Sequence, residues 1–330
     1  MITSRTPLRV SFSGGGTDLR SFYANNGFGS VVSASIDSYL YVSVKKHNPL
    51  FNGEYRLNYS ETELPVDIED IKNPIIRETL RFLEIDDKMY ISTIADAPAS
   101  SGLGSSSTFC VGLLNALYKY RGETVSAGRL AEEAAYIECD ILKRPMGKQD
   151  HYAAAYGGIN YIQFNDDESV SVRSLSISSK KMEILSKSIM MFWTGVSRPS
   201  ELILGEQNDR SDVNEDMLLK IRDQSINLTS ILNNENFSIK DLGSVVGKGW
   251  EYKKTLSSRV TNSQIDDWYA TAIEVGAYGG KISGAGGGGF LTVIADQSLH
   301  NALTYSLEKK GLRRHRFGFD SCGTTVYQIE

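Results

Sequence analysis

Pro98-Ala99-Ser100-Ser101-Gly102-Leu103-Gly104-Ser105-Ser106-Ser107 is the stretch on which the reading of this chain turns. It follows Met89-Tyr90-Ile91-Ser92-Thr93-Ile94, an expected strand. It leads into an expected helix over about Ser105–Tyr120 that carries Phe109, Leu113, Leu114 and Leu117. A glycine- and serine-rich turn at a helix N-terminus makes an anion site. The glycines let the backbone approach phosphate oxygens, and the unpaired N–H groups and positive dipole end favour negative charge. Serine hydroxyls add hydrogen bonds, and one could ligate Mg2+. No Lys follows the last glycine, so this is not a Walker A loop. The plain alternative is a serine N-cap on a glycine turn that binds nothing.

A second cluster, Gly284-Ala285-Gly286-Gly287-Gly288-Gly289, satisfies Gly-x-Gly-x-x-Gly formally. Phe290-Leu291-Thr292-Val293-Ile294 follows, a strand where a dinucleotide site requires a helix, so the Rossmann reading is rejected. So many adjacent glycines permit a backbone to pass close to a ligand or to another loop.

Outward from these loops, Leu8, Val10 and Phe12 alternate with Arg9, Ser11 and Ser13, and Leu40, Val42 and Val44 with Tyr41, Ser43 and Lys45, both with the period of a half-buried strand. Turn-rich sequence follows around Asn48-Pro49 and Asn52-Gly53. Helices are expected over Asn73–Leu83, Ala127–Leu142 and from Gln149, and strands over Ile159–Phe164 and Val170–Leu175. Polar Ser176–Leu185 reads as the passage between two α+β domains, 1–180 and 181–330. Beyond it we expect a strand at Ile189–Trp193 and helices over Ser200–Asn233, Ile239–Leu256 and Asn262–Val275. Strands near Lys281–Ser283 and Phe290–Ile294, a helix at Ser298–Lys309 and two short strands complete the chain.

The 330 residues suffice for two domains, and 41% hydrophobic with 23% charged residues is an ordinary globular composition. With a net charge of −5 and only short basic clusters, such as Lys45-Lys46 and Arg313-Arg314, there is no stripe for nucleic acid. Cys110, Cys139 and Cys322 are odd in number and far apart, as expected of reduced thiols in a cytoplasm. No apolar run is long enough to span a bilayer, and the N-terminus lacks a leader pattern, so a soluble cytoplasmic protein is expected.

Three segments in order, Thr6-Pro7-Leu8-Arg9-Val10-Ser11-Phe12-Ser13-Gly14-Gly15-Gly16-Thr17-Asp18, Pro98–Ser107 and Ser283–Gly289, resemble the three motifs of GHMP kinases. The Gly-Gly-Gly-Thr-Asp ending, Lys148-Gln149-Asp150-His151-Tyr152-Ala153 and Thr194-Gly195-Val196-Ser197-Arg198 resemble D-glycero-D-manno-heptose 7-phosphate kinases within that superfamily. The resemblance implies an N-terminal domain like domain 2 of ribosomal protein S5, a ferredoxin-like C-terminal domain and an active site between them. It implies a kinase that uses ATP and Mg2+ on the anomeric hydroxyl of the heptose 7-phosphate, giving the 1,7-bisphosphate for nucleotide-activated heptose and surface polysaccharide. Other sugar 1-kinases of the fucokinase or galactokinase kind, an isoprenoid or amino-acid kinase, and a catalytically silent sugar sensor stand as alternatives. The expected partners are a sugar phosphate and ATP, with neither nucleic acid nor membrane, and a homodimer is left open.

By the same resemblance Asp150 is the base and Arg9 the cation beside it. Pro98, Ser100, Ser101, Gly102, Leu103, Gly104, Ser105, Ser106 and Ser107 hold ATP, while Ser106 and Glu138 share the metal. Gly15, Gly16, Thr17, Asp18, Gly286, Gly287 and Arg198 meet the substrate. The substrate's phosphate needs its own cation, for which Arg198, Lys148, Arg144 and Arg20 are the candidates. Each role competes with a plainer one: a helix cap for Asp150, an Asx turn for Asp18, an exposed strand residue for Arg9. Glu132, Glu133 and Asp140 are expected to be solvent-facing charges, and His151 to steady the helix start or touch substrate.

Overall fold

β-rich and helix-rich segments sort into two sheets joined by one apolar seam. The computed structural model describes residues 1–48, 50, 53–234 and 236–329, so the turn expected around Pro49 and Asn52 lies outside the described residues. The first sheet contains β1 (Ile2–Ser13), β2 (Phe28–Lys46), β3 (Arg56–Asn58), β4 (Thr62–Glu63), β5 (Met89–Ala95), β6 (Ile159–Asn165) and β7 (Val170–Ser174). β2 is its spine. One edge of β2 pairs with β1, while its other edge pairs with β6 through residues 28–34 and with β5 through residues 40–46.

The second sheet is antiparallel, with β8 (Ile189–Trp193), β9 (Gly279–Ile282), β10 (Phe290–Ile294) and β11 (Arg313–His315) in the order β11-β8-β10-β9. With helices between β8 and β9 and between β10 and β11, this is the split βαβ arrangement of a ferredoxin-like domain. The last strand, β12 (Thr325–Gln328), returns to pair with β1. We propose a division near residue 180, with this tail folded back onto the first unit.

Helices α1 (Arg20–Tyr23), α2 (Pro74–Phe82), α3 (Ser105–Tyr120), α4 (Ala127–Ala135) and α5 (Gln149–Tyr156) belong to the first unit, where α3 packs on β1 and β2. α6 (Ser179–Ser188) leads into the second unit, which carries α7 (Ser200–Asp209), α8 (Glu215–Asn233), α9 (Ile239–Lys254), α10 (Ser263–Val275) and α11 (His300–Lys309). The seam brings Leu8, Val10 and Phe12 together with Ile189, Met191, Leu228, Leu242 and Phe290. Burying such side chains contributes about 1.5–3 kcal/mol each, so the seam fixes the two walls of the cleft relative to each other. Among the described residues, no helix is long and apolar enough to cross a membrane.

Within the polar Ser176–Leu185 passage, Ser178 caps α6 by accepting from Lys181 N, and Leu185 is buried on the seam. Two element assignments need correction. The single helix expected over Ser200–Asn233 is broken into α7 and α8 by a turn at 210–214, where the Asn214 side-chain amide donates to Leu256 O at 2.8 Å. The helix over Ala127–Leu142 is α-helical only to Ala135 and then widens into a π-helical segment, Tyr136–Ile141. π-Helical turns gather at functional sites, and this one carries Glu138.

Candidate active site

Strand β1 delivers Arg9 and α5 delivers Asp150 to the floor of a cleft between the two units. Leu8 and Val10 fill the seam, so the alternation of the strand turns Arg9 the other way. Its guanidinium holds Asp150 in a fork, Nε to Oδ1 at 2.6 Å and Nη2 to Oδ2 at 2.7 Å, and Nη1 donates to Gly102 O at 2.6 Å. The Arg9 side chain is 4% exposed and that of Asp150 16%, so Asp150 reaches the cleft while Arg9 supports it from behind.

Above this pair lies the serine loop. α3 starts at Gly104, in the left-handed conformation, and no side chain caps it. The hydroxyls of Ser101, Ser105 and Ser107 are buried without a hydrogen-bond partner, and all three residues line the cleft. Buried hydroxyls normally find partners, and these converge with the free N–H groups of the first helical turn, so the loop is equipped for an anion. The glycine-rich loops are fitted to each other. Gly102 has a φ of +81°, and a Cβ on it would lie 2.5 Å from Ser283 O; a Cβ on Gly284 would lie 2.6 Å from the Gly102 Cα. The close approach allowed for the 284–289 segment is therefore to the serine loop.

Beside the serine loop, the Ser106 hydroxyl donates to Glu138 Oε1, and Arg144 Nη1 donates to both, at 2.7 Å to Ser106 and 2.6 Å to Glu138. The other carboxylate oxygen meets His151 Nε2 at 2.8 Å. Burial pushes the Glu138 carboxyl up, but His151, Ser106 and Arg144 outweigh it and hold the group at about 2. A buried carboxylate beside a hydroxyl, already gathered around a positive group, fits a hard divalent cation that takes few protein ligands. Among the described residues no cluster of three or more acidic, His or Cys side chains offers a denser metal site. His151 orients Glu138.

On the other side of Asp150, Asp18 is buried. Its Oδ1 accepts from Gly16 N at 3.0 Å, and its Oδ2 from Gln149 N at 3.3 Å and Gln149 Nε2 at 3.1 Å. Burial raises its carboxyl above the usual range, the Gly16 N–H opposes this and the nearby Asp150 adds to it. A Cβ at Gly147 would fall 1.9 Å from Asp18 Oδ2, which shows how closely the turn before α5 wraps this carboxylate. Gly15, Gly16, Gly286 and Arg198 line the same cleft, and the Arg198 side chain has no hydrogen bond or ion pair among the described residues.

Other expected site residues stand elsewhere. Pro98 is exposed outside the cleft lining, the Leu103 side chain is in the seam, and the Thr17 hydroxyl closes the 14–17 turn on Gly14 O at 2.8 Å. Lys148 and Arg20 pair with Glu168 at 2.5 and 2.8 Å. Glu133 bonds Arg129 and Tyr118, and Asp140 lies 3.7 Å from Arg20. Sequence reasoning missed Lys253, Lys281 and Gln149. Lys253 in the last turn of α9 reads as an ordinary dipole-compensating lysine, and only its neighbour Trp250, buried on the same face, hinted otherwise.

The GHMP kinases N terminal domain matches residues 73–158 and the GHMP kinases C terminal domain matches residues 233–311, together half of the sequence and on opposite sides of the cleft. The chain belongs to the GHMP kinase family. Like other GHMP kinases it is an ATP-dependent phosphotransferase. It is similar to the D-glycero-alpha-D-manno-heptose 7-phosphate kinase of Campylobacter jejuni, 29% identical over 99% of both chains. It is 24% identical to the galactokinase of Pyrococcus furiosus over 90% of this chain and 89% of that one. The crystal structure of a D-glycero-D-manno-heptose 1-phosphate kinase from Bacteroides thetaiotaomicron superposes over the whole of both chains with a TM-score of 0.82 at 24% identity, which establishes the shared fold.

Proposed function

We propose that this GHMP kinase transfers the γ-phosphoryl group of ATP to the anomeric hydroxyl of D-glycero-α-D-manno-heptose 7-phosphate, giving the 1,7-bisphosphate in the cytoplasm. The observation that carries the phosphoryl-transfer reading is the Arg9–Asp150 fork facing unpartnered serine hydroxyls across one cleft. The sugar rests on the similarity to the Campylobacter jejuni heptose kinase over nearly the full length of both chains.

In this reading the triphosphate lies against the N–H groups and hydroxyls of Ser105–Ser107. Ser106 and Glu138 would hold Mg2+, which neutralises charge on the phosphoryl oxygens when bound. Arg9 donates to both Asp150 oxygens and fixes their direction, and each keeps a lone pair free for the sugar hydroxyl. The anomeric oxygen forms a bond to the γ-phosphorus, its proton passes to Asp150, and the bond to the bridging oxygen breaks to release ADP. Asp18 accepts from ring hydroxyls, with Gly15 and Gly16 leaving room for the sugar.

A silent sugar sensor would not require Asp150, Arg9, Ser106 and Glu138 together, and here the first three line one cleft while Glu138 is bonded to Ser106 just behind it. ADP release by the purified protein across free sugars and sugar phosphates tests the proposal. The heptose 7-phosphate should give the highest kcat/KM. Turnover of free galactose or fucose with none of the heptose phosphate would overturn the substrate assignment and leave the kinase standing.

A further inference from the structure

Two buried lysines on the acceptor side have no part in the reaction as described. Lys253, in the last turn of α9, and Lys281, within β9, are each 6% exposed. Lys253 lines the cleft with Arg9, Asp18 and Asp150, and among the described residues its ammonium donates only to Gly284 O. Lys281 makes no hydrogen bond or ion pair among the described residues. It lines a smaller chamber that shares Gly15 and Lys253 with the cleft, and the buried hydroxyl of Ser13 in that chamber also lacks a partner.

A buried ammonium requires a counter-charge. The two carboxylates within reach are already engaged, Asp150 by the Arg9 fork and Asp18 by Gly16 and Gln149. Burial holds Lys253 down to about 8, and burial together with the charge of Lys253 pushes Lys281 well below the usual lysine range. Both groups therefore lack an anion. The position of that anion is marked by Gly15, where a Cβ would sit 3.7 Å from Lys253 Nζ and 3.6 Å from Nε2 of Gln149, the residue before Asp150. Gly15, Gln149, Asp150 and Lys253 line the same cleft, so a molecule lying over Gly15 can meet both Asp150 and Lys253.

We propose that Lys253, backed by Lys281, is the subsite for the phosphate that the acceptor sugar already carries. This rests on the sugar-kinase reading above and deepens it: the pair selects phosphosugars over free sugars. Arg198, exposed at the mouth of the cleft, is the competing cation for the same group. The γ-phosphate of ATP is the competing source of the anion.

Calorimetric binding without turnover separates these. Heptose 7-phosphate, the unphosphorylated heptose and a non-hydrolysable ATP analogue are titrated into wild type, K253M, K253R, K281M and R198A. K253M is expected to weaken the phosphosugar about 10- to 100-fold, the range for losing a charged hydrogen bond, with the free heptose and the ATP analogue shifted less than about twofold. K253R keeps the charge and should recover most of the loss, which guards against a folding defect in K253M. K281M should fall between K253M and wild type.

Weaker binding of the ATP analogue by K253M, with the phosphosugar unchanged, would assign Lys253 to the nucleotide and overturn the proposal. An equal loss for phosphosugar and free sugar, or a loss in R198A alone, would overturn it too. A wild type that binds the phosphosugar through Lys253 but never turns it over leaves the subsite standing and removes the proposed function. A wild type that turns it over while K253M binds it unchanged does the reverse. No binding of the phosphosugar by wild type overturns both.

Discussion

The serine-lined wall of the cleft, Ser100–Ser107, is one continuous stretch without a charged side chain, whereas the opposite side draws Asp18, Asp150, Lys253 and, from the adjoining chamber, Lys281 from four separate segments, all charged and mostly buried. The first wall works by number. Under the proposed function several N–H groups and hydroxyls would share a polyanion, so each would contribute modestly and a missing one would be partly covered by its neighbours. The second side works by placement, since each charge is held by one or two specific residues or by none, and removing one leaves another uncompensated in a poorly solvated site. Single substitutions should therefore be graded on the nucleotide wall and severe on the acceptor wall.

The largest expected effect is at Asp150. D150N keeps the shape but removes the proton acceptor, and kcat should fall by about 10²- to 10⁴-fold with little change in the KM for ATP, read by steady-state ADP release. Retained kcat would end the contrast between the walls. Next comes Glu138, the exception on the nucleotide side because it is a buried charge: E138A leaves His151 and Arg144 without it and should cost about 3–5 kcal/mol in chemical denaturation. Because its folded pKa is lowered from 4.5 to about 2, its contribution is fully present above pH 4.5 and fades as pH falls toward 2. E138Q should flatten the acid limb of the stability profile over that window. A wild-type slope in E138Q would place the acid sensitivity elsewhere.

Gly102→Ala should cost about 1–3 kcal/mol, since its φ is positive and its Cβ would collide with Ser283 O. It should also weaken ATP binding by parting the two loops, whereas Gly122→Ala, with a similar φ but open space around it, should leave ATP binding alone. The smallest effect is expected at Ser105. S105A should raise the KM for ATP by about 2- to 10-fold, the worth of one hydroxyl among several donors. A loss as large as that of D150N would show that the wall does not share its load.

The same difference decides what was legible beforehand. The strand–loop–helix at Met89–Tyr120 can be read because its chemistry is contiguous and its turn has a physical signature. The first half of β2 could not, because residues 29–36 are buried on both faces and a serine sits on each: Ser35 Oγ donates to Ala153 O at 3.1 Å on one side, and Ser30 Oγ lies 2.5 Å from Ser225 Oγ on the other. A strand covered on both sides has no period-2 alternation to find. Arg9, Asp18 and Asp150 entered through the resemblance to GHMP kinases, since nothing local tells an exposed strand arginine from one that grips an aspartate 141 positions away. Lys253 and Lys281 had neither a motif nor a period. Their burial follows from the second unit closing over the Gly14–Gly16 turn, which is a tertiary fact. The break at 210–214 was hidden because apolar residues continue at helical spacing on both sides of it.

The most direct test of the account is a crystal structure with a non-hydrolysable ATP analogue and heptose 7-phosphate bound together. The account predicts the γ-phosphate on the Ser105–Ser107 N–H groups, the anomeric oxygen hydrogen-bonded to Asp150 in line with it, and the 7-phosphate on Lys253. A sugar bound with its anomeric oxygen turned away from Asp150, or a triphosphate lying off the serine loop, would contradict it.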